Sequence, residues 1–520
     1  MPDSAPSPLP GGDPARVVLG VEPLTAGQFV DIVRGHVPVT LSDAAEKNLA
    51  ATRQHIENLA HAETPTYGVS TGFGALATRH IPLESRTALQ RSLIRSHAAG
   101  AGPAVETEVV RALMLLRLRT LASGYTGVRP VTAQTLAAML NAGITPIVHE
   151  YGSLGCSGDL APLAAIALAL MGEGEVRHEG ETKPAAEALK SANIEPIVLA
   201  EKEGLALTNG TDGMLGMLLL AAADLRRLFD VADLTAAMSV EALLGTDRVF
   251  AADLQALRPH PGQATSAARM FKALQDSKIV ESHRGPDCNR VQDAYSLRCA
   301  PQVHGGARDS LAHAELVADR ELRSAVDNPV VLADGRVESN GNFHGAPVAY
   351  VLDFLAIPLA DVASIAERRT DRMLDKARSH GLPPFLAHDP GVDSGHMIAQ
   401  YTQAAVVSEL KRLAVPASVD SIPSSAMQED HVSMGWSAAR KLRKAVDGLT
   451  TVLAIELLTA ARALDMRAPL EPSPVTGRVR DLVRTRVEGP GPDRHLAPEI
   501  AAVEELVASG AVLAAARLEV

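Results

Sequence analysis

From Ser437 to Met466 the chain runs without a proline, and Leu442, Val446, Leu449, Leu453, Leu457, Ala460 and Leu464 recur every three or four positions. At ~1.5 Å per residue this predicts a helix with an apolar seam about 30 Å long. Such a seam must be buried against others of its kind. The chain supplies them at Gly305–Val326, Ala346–Ser379 and Gly395–Leu413, with proline-marked loops between at Pro383-Pro384 and Pro416–Pro423. Hydrophobic residues make up 46% of the chain but aromatics only 3%. The core is therefore rich in Ala and Leu, which favours close-packed helices over a β-sandwich. The fold class read here is mainly α: a long central antiparallel helical bundle with a loop-rich N-terminal catalytic region.

The N-terminal half is more mixed. MPDSAPSPLPGGDPAR has no apolar core of a signal peptide and reads as a disordered tail over residues 1–16. A short strand is expected at Val17–Leu19. Ser42 is a good N-cap for a helix to about Ala60. Further helices are expected over about Leu83–Ala98, Glu106–Ser123 and Val131–Ala142, and from Pro162. Gly172–Pro196 reads as short strands and a hairpin. A last helix is expected from about Ala497. The predicted division is 17–210 for the N-terminal region with its catalytic loops, and 211–520 for the bundle and C-terminal helices.

A formal charge of −12 argues against a nucleic-acid binder. The apolar stretches Leu160–Gly172 and Met214–Ala223 are too short to span a bilayer. Three cysteines, Cys156, Cys288 and Cys299, form no C-x-x-C pair, so neither a disulfide framework nor a thiolate zinc site is indicated, and a reducing cytoplasm fits. Seventeen histidines invite a metal reading, but His304, His313, His344 and His431 make no H-E-x-x-H pattern, and structural or substrate-contact roles come first. No metal is expected.

The chemistry concentrates at GSLGCSGDLAPL, residues 152–163. In Cys156-Ser157-Gly158 the amide nitrogen of Gly158 can attack the carbonyl carbon of Cys156, since glycine has no Cβ to obstruct the turn. Loss of one water closes a five-membered ring. Loss of a second across Cα–Cβ of Ser157 leaves an exocyclic methylidene. The product, a 4-methylidene-imidazol-5-one, is an electron-poor alkene that activates a poor leaving group. Alone, C-S-G is more often a plain small-residue turn. A serine hydrolase using Ser157 is a second reading, but it needs G-x-S-x-G on a strand–turn–helix, and here Asp159 follows Gly158.

Around this turn lie YGVSTGFG at Tyr67, LQRSLIRSHAAG at His97, GLALTNGTDG at Asn209, QDAYSLRCAPQ at Arg298, GNFHG at Phe343 and QEDHVSMG at Glu429. With these motifs in order over about residues 17–510, the chain resembles the histidine/phenylalanine ammonia-lyase family. That family makes its cofactor from Ala-Ser-Gly; here Cys156 replaces the alanine, whose side chain stays outside the ring. The resemblance implies a carbon–nitrogen lyase with no external cofactor. Cys156, Ser157 and Gly158 would form the ring, and Asn209 and Phe343 would contact it. Tyr67 would be the base for the substrate's β-proton. Arg298 would hold the carboxylate bidentately, with Gln292 binding carboxylate or amine and Tyr295 set against the ring to assist proton transfer.

His97 and Glu429 bear on the substrate. His97 resembles the histidine-specific members, although tyrosine-specific ones also carry histidine there. Glu429 suits an imidazole N–H, whereas against a benzene ring it would be left unpaired. Met427 stands where the family usually has Asn. The expected reaction is loss of ammonia from L-histidine to give trans-urocanate, the first step of histidine breakdown, in a homotetramer whose sites are shared between subunits. The alternatives are a tyrosine or phenylalanine lyase, or a 2,3-aminomutase, of the same family. A non-catalytic helical scaffold and the serine hydrolase are more distant.

Overall fold

The computed structural model describes residues 16–20, 22–61, 70–71, 79–285, 288 and 290–518. The tail at 1–15 and the base candidate Tyr67 lie outside the described residues. The described residues are mainly helical with short strands, as the stripes predict. The chain divides into two compact units, each made of three segments. One comprises residues 1–220, 315–352 and 416–440; the other comprises 221–314, 353–415 and 441–520.

The first unit is the more irregular. Strand Val17–Leu19 pairs in parallel with Val39–Leu41, joined through helix Ala26–Val33. Thr25 starts that helix with a reciprocal capping box to Gln28. Ser42 caps the next helix, Asp43–Ala60, through the amide of Ala45. Helix Thr107–Ala122 is buried along nearly its whole surface. Its Arg111 is buried too, and donates to the carbonyls of Ile32, Val33 and Leu140 at the ends of helices Ala26–Val33 and Pro130–Asn141. A cation on these orphan carbonyls satisfies both helix ends at once. Burial pulls its pKa down to about 10, which still leaves it charged. Glu175–His178 and Glu181–Pro184 form the expected hairpin, and Thr145–Pro146 adds a third strand. Ala101–Ala104 pairs with His149–Tyr151, which no local pattern announced.

The second unit holds the bundle. Asp233 meets His304 while Asp230 meets Arg308, so helices Asp212–Ala242 and Ala300–Leu322 run antiparallel here. Gln403 donates to the carbonyl of Val452, and Leu410 packs at Gly448, so Met397–Leu413 and Gly435–Asp465 are antiparallel as well. Arg443 reaches Asp224, and Glu456 accepts from Thr235, so the first and last of these helices are parallel. Leu442, Leu449, Leu453, Leu457 and Leu464 are all essentially inaccessible, as the seam requires. At the centre Glu456 accepts from Thr235, Ser239 and the Nε and Nη2 of Arg369, with carboxylate and guanidinium fully buried. Removing one member of such a pair costs about 3–5 kcal/mol, because the other charge is left uncompensated.

Helix Ala346–Leu374 has a mean hydropathy of 1.8 over its most apolar window and is long enough to cross a membrane. It contains Pro358, and 61% of that window is buried within the protein, as in a core helix.

Candidate active site

Helix Leu160–Leu170 is apolar on every face, so it is buried, and the tripeptide sits in the turn at its N-terminus. Gly158 has φ +85° and bridges to Gly210; a Cβ added at Gly158 would lie 2.1 Å from the carbonyl oxygen of Gly210. Only glycine tolerates both the backbone conformation and the approach. The next amide, of Asp159, donates to that same oxygen at 2.7 Å.

Polar contacts fix the rest of the turn. Asp159 is inaccessible and accepts from the Ser153 hydroxyl and from the amides of Gly213 and Met214 at 2.8–3.0 Å. Burial nevertheless pushes its carboxyl up to about 7, with the Asp212 charge adding to the rise. Ser433 donates to the carbonyl of Gly155 at 2.7 Å, and the amide of Met434 donates to the carbonyl of Leu154 at 2.8 Å. Sequence analysis missed Asp159 and Ser433 as site residues. Asp159 stands in the motif itself, the one signal that could have flagged it.

The structure brings Cys156, Ser157 and Glu429 together. The Glu429 carboxylate accepts from the Cys156 thiol and the Ser157 hydroxyl at 3.2 Å each, and from the Ser424 hydroxyl at 3.1 Å. Backbone bonds between Ser424 and Glu429 close the intervening loop. Ser425, Ala426 and Met427 there all have positive φ, of 51°, 53° and 67°. Non-glycine residues in this region each cost about 1–3 kcal/mol. The Cys156 thiol is buried and faces Glu429; burial first, then that carboxylate, push its pKa up to about 12.

His97 ends helix Arg86–His97. Burial lowers its pKa, against the pull of the Leu93 carbonyl and the Glu429 charge. The Ser96 hydroxyl already donates to Leu93 O, so it accepts from His97 Nδ1 at 3.1 Å. This leaves the lone pair on Nε2. Asn209 is buried at the end of helix Glu203–Thr208, where one of its side-chain N–H groups donates to Leu205 O at 3.1 Å. Phe343 is half-buried in the turn before helix Ala346–Leu374. The adjacent His344 stacks on His431 at 5.7 Å and bonds its carbonyl, joining this turn to the Glu429 segment.

Gln292, Tyr295 and Arg298 belong to the second unit. Tyr295 and Arg298 bound the four-residue helix Tyr295–Arg298, and the Arg298 guanidinium lies 4.7 Å over the Tyr295 ring. Gln292 is exposed and Tyr295 is 71% exposed. Arg298 Nε is buried without a hydrogen-bond partner among the described residues.

The chain matches the family described as aromatic amino acid lyase over residues 24–485. The chain belongs to this family. It is therefore a carbon–nitrogen lyase. It is 65% identical to histidine ammonia-lyase of Streptomyces avermitilis over 96% of this chain and 98% of that one. It is 49% identical to histidine ammonia-lyase of Gloeobacter violaceus over 95% and 96%. Among solved structures, tyrosine aminomutase from Streptomyces globisporus matches with TM-score 0.91 at 36% identity, over 97% of this chain and 99% of that one. Histidine ammonia-lyase from Trypanosoma cruzi matches with TM-score 0.88 at 37% identity, over 96% and 95%.

Proposed function

We propose that this lyase acts on L-histidine, releasing ammonia and trans-urocanate. The carrying observation is the Glu429 carboxylate against the Cys156-Ser157 turn, with His97, whose pKa burial lowers, close enough to feel its charge. Carboxylate and imidazole lone pair are acceptors for the N–H of an imidazole ring, a donor that a benzene ring lacks. The names of the 65%-identical relatives support the same choice, while the aminomutase neighbour leaves the amino-acid class open on fold alone.

Cys156, Ser157 and Gly158 fit the self-made methylidene-imidazolone. The residues are small, Gly158 adopts a turn closed to any Cβ, and Ser157 is partly open while its neighbours are buried. When formed, that group supplies an electron-poor alkene that loosens the substrate's amine. The chain's own residues do the rest. Asn209 has a second side-chain N–H beyond the one given to Leu205, and aims donor character at developing negative charge. Phe343 packs beside the ring and excludes water. Tyr67, as base, takes the β-proton; its phenol must be held below its usual pKa near ~10 by neighbouring cations or donors.

Arg298 holds the substrate carboxylate through its guanidinium fork. Gln292 and Tyr295 line the same side. These three come from a neighbouring subunit of a homotetramer, consistent with the exposure of Tyr295. Tyr350, Phe354 and Ile357 form an exposed apolar row on helix Ala346–Leu374 that suits such association. The enzyme is soluble and cytoplasmic and needs no external cofactor or metal.

The test is kcat/KM for histidine, tyrosine and phenylalanine on the wild type and on His97→Phe. Histidine should be preferred by the wild type, and the variant should lose more on histidine than on phenylalanine. A wild type that prefers tyrosine or phenylalanine overturns the substrate while leaving the lyase intact.

A further inference from the structure

Behind the tripeptide, on the far side of Gly210, lies a buried arginine that the chemistry above does not use. Arg117 is on helix Thr107–Ala122 and is wholly inaccessible. It donates to the carbonyls of Ala206 and Asn209 through Nη1, at 2.9 and 2.8 Å, and to that of Val326 through Nη2, at 3.2 Å. It also pairs with Asp212 at 2.7 Å. A Cβ added at Gly210 would lie 1.9 Å from Nη2 and 2.3 Å from the Asp212 carboxylate. The Asn209–Gly210 backbone is thus gripped by Arg117 on one side and meets Gly158 and Asp159 on the other.

We infer that Arg117 is a positioning residue for self-processing of the tripeptide. It makes the Asn209–Gly210 backbone a fixed stop, against which Gly158 is held in its left-handed turn with its amide nitrogen turned toward Cys156. The inference rests on the proposed cyclisation. Ring closure forms the Gly158 N–Cys156 C bond and moves the Gly158 amide proton to the Cys156 carbonyl oxygen. That oxygen leaves as water with the Ser157 amide proton. A second water carries away the Ser157 hydroxyl and its Cα proton. Bringing nitrogen to carbon within one tight turn is a demand on position, and a stop that yields by an ångström removes much of the advantage of holding them. Three backbone carbonyls and one carboxylate on a single planar fork leave that stop little room to yield.

The experiment is intact mass of the purified chain for the wild type, Arg117→Lys, Gly210→Ala and Asp212→Asn, with circular dichroism and thermal melting on each. The wild type should weigh two waters less than its sequence. Arg117→Lys keeps the charge but not the fork, and should fold while retaining both waters in at least nine chains of ten. Gly210→Ala displaces the guanidinium without removing a charge and should do the same. Asp212→Asn takes one of the four partners from the fork but leaves the three carbonyl bonds in place, and should lower the processed share less than Arg117→Lys does.

Fully processed, folded Arg117→Lys overturns the inference. So does an Arg117→Lys chain that cannot fold, because Arg117 then serves the fold and not the turn. A wild type with its full sequence mass sinks the cyclisation and this inference together, whereas processed wild type beside processed variants sinks only this one.

Discussion

The tripeptide turn and the Gln292–Arg298 segment are built in opposite ways. The turn is buried and tied down from several directions, by Ser153, Asp159, Gly210, Ser433 and Glu429. The segment that carries the arginine is exposed at Gln292 and Tyr295. Its short helix buries Leu297 and accepts a long bond from Arg369 at the carbonyl of Ser296, 3.4 Å away, but leaves the Tyr295 ring open. A bond-forming reaction within the chain needs a geometry fixed before any ligand arrives. A clamp for an incoming carboxylate needs access. The two segments therefore answer to different demands, one to assembly of the site and one to its use.

The largest expected effect is at the turn. Ser157→Ala cannot form the alkene and should fold yet lose nearly all turnover, while Cys156→Ala should stay active. Steady-state turnover with a thermal melt checks both, and wild-type turnover in Ser157→Ala removes the reactive turn altogether. Next is Tyr67→Phe, with kcat down by the roughly 10²–10⁴-fold typical of general base catalysis and folding unchanged. An unchanged kcat moves the base to Glu429 or Tyr295.

The contrast between the segments is sharpened by mixing. Arg298→Ala and Ser157→Ala should each be nearly inactive. Co-expressed, they should regain up to about a quarter of wild-type activity if sites draw their parts from different subunits, since some sites then contain neither defect. Absence of any recovery in verified mixed oligomers places both parts in one chain.

The smallest effect is at Met427, in its left-handed loop. Asn tolerates that backbone better than Met, so Met427→Asn should stabilise by about 0.5–1 kcal/mol, read from urea unfolding. Destabilisation would mean the methionine side chain holds the loop.

The bundle was legible because a long stripe has one solution. Leu442 to Leu464 could only be buried, and the element bounds there differ from expectation by a residue or two. The Ala101–Ala104 strand was not legible. Its residues are AGPA, without alternation, and its partner lies more than forty positions away. At the site, the tripeptide, His97 and Glu429 were visible as residue types, and the contact of Cys156 and Ser157 with Glu429 was not, because it joins segments over 270 positions apart. Arg117 gave no local sign at all. An arginine on an apolar helix reads as a solvated charge until its carbonyl partners, at 206, 209 and 326, are known.

The buried Cys156 thiol has a consequence for how this protein meets reactive molecules in its surroundings. With its pKa pushed up to about 12, Cys156 stays a thiol at neutral pH, and the thiolate is the form that alkylating agents and peroxides attack. The sulfur beside the reactive turn is therefore a silent one. Cys288, exposed and far along the chain, should consume such reagents first. Covalent labels can accordingly be placed on this protein through its own surface cysteine, with the turn left untouched.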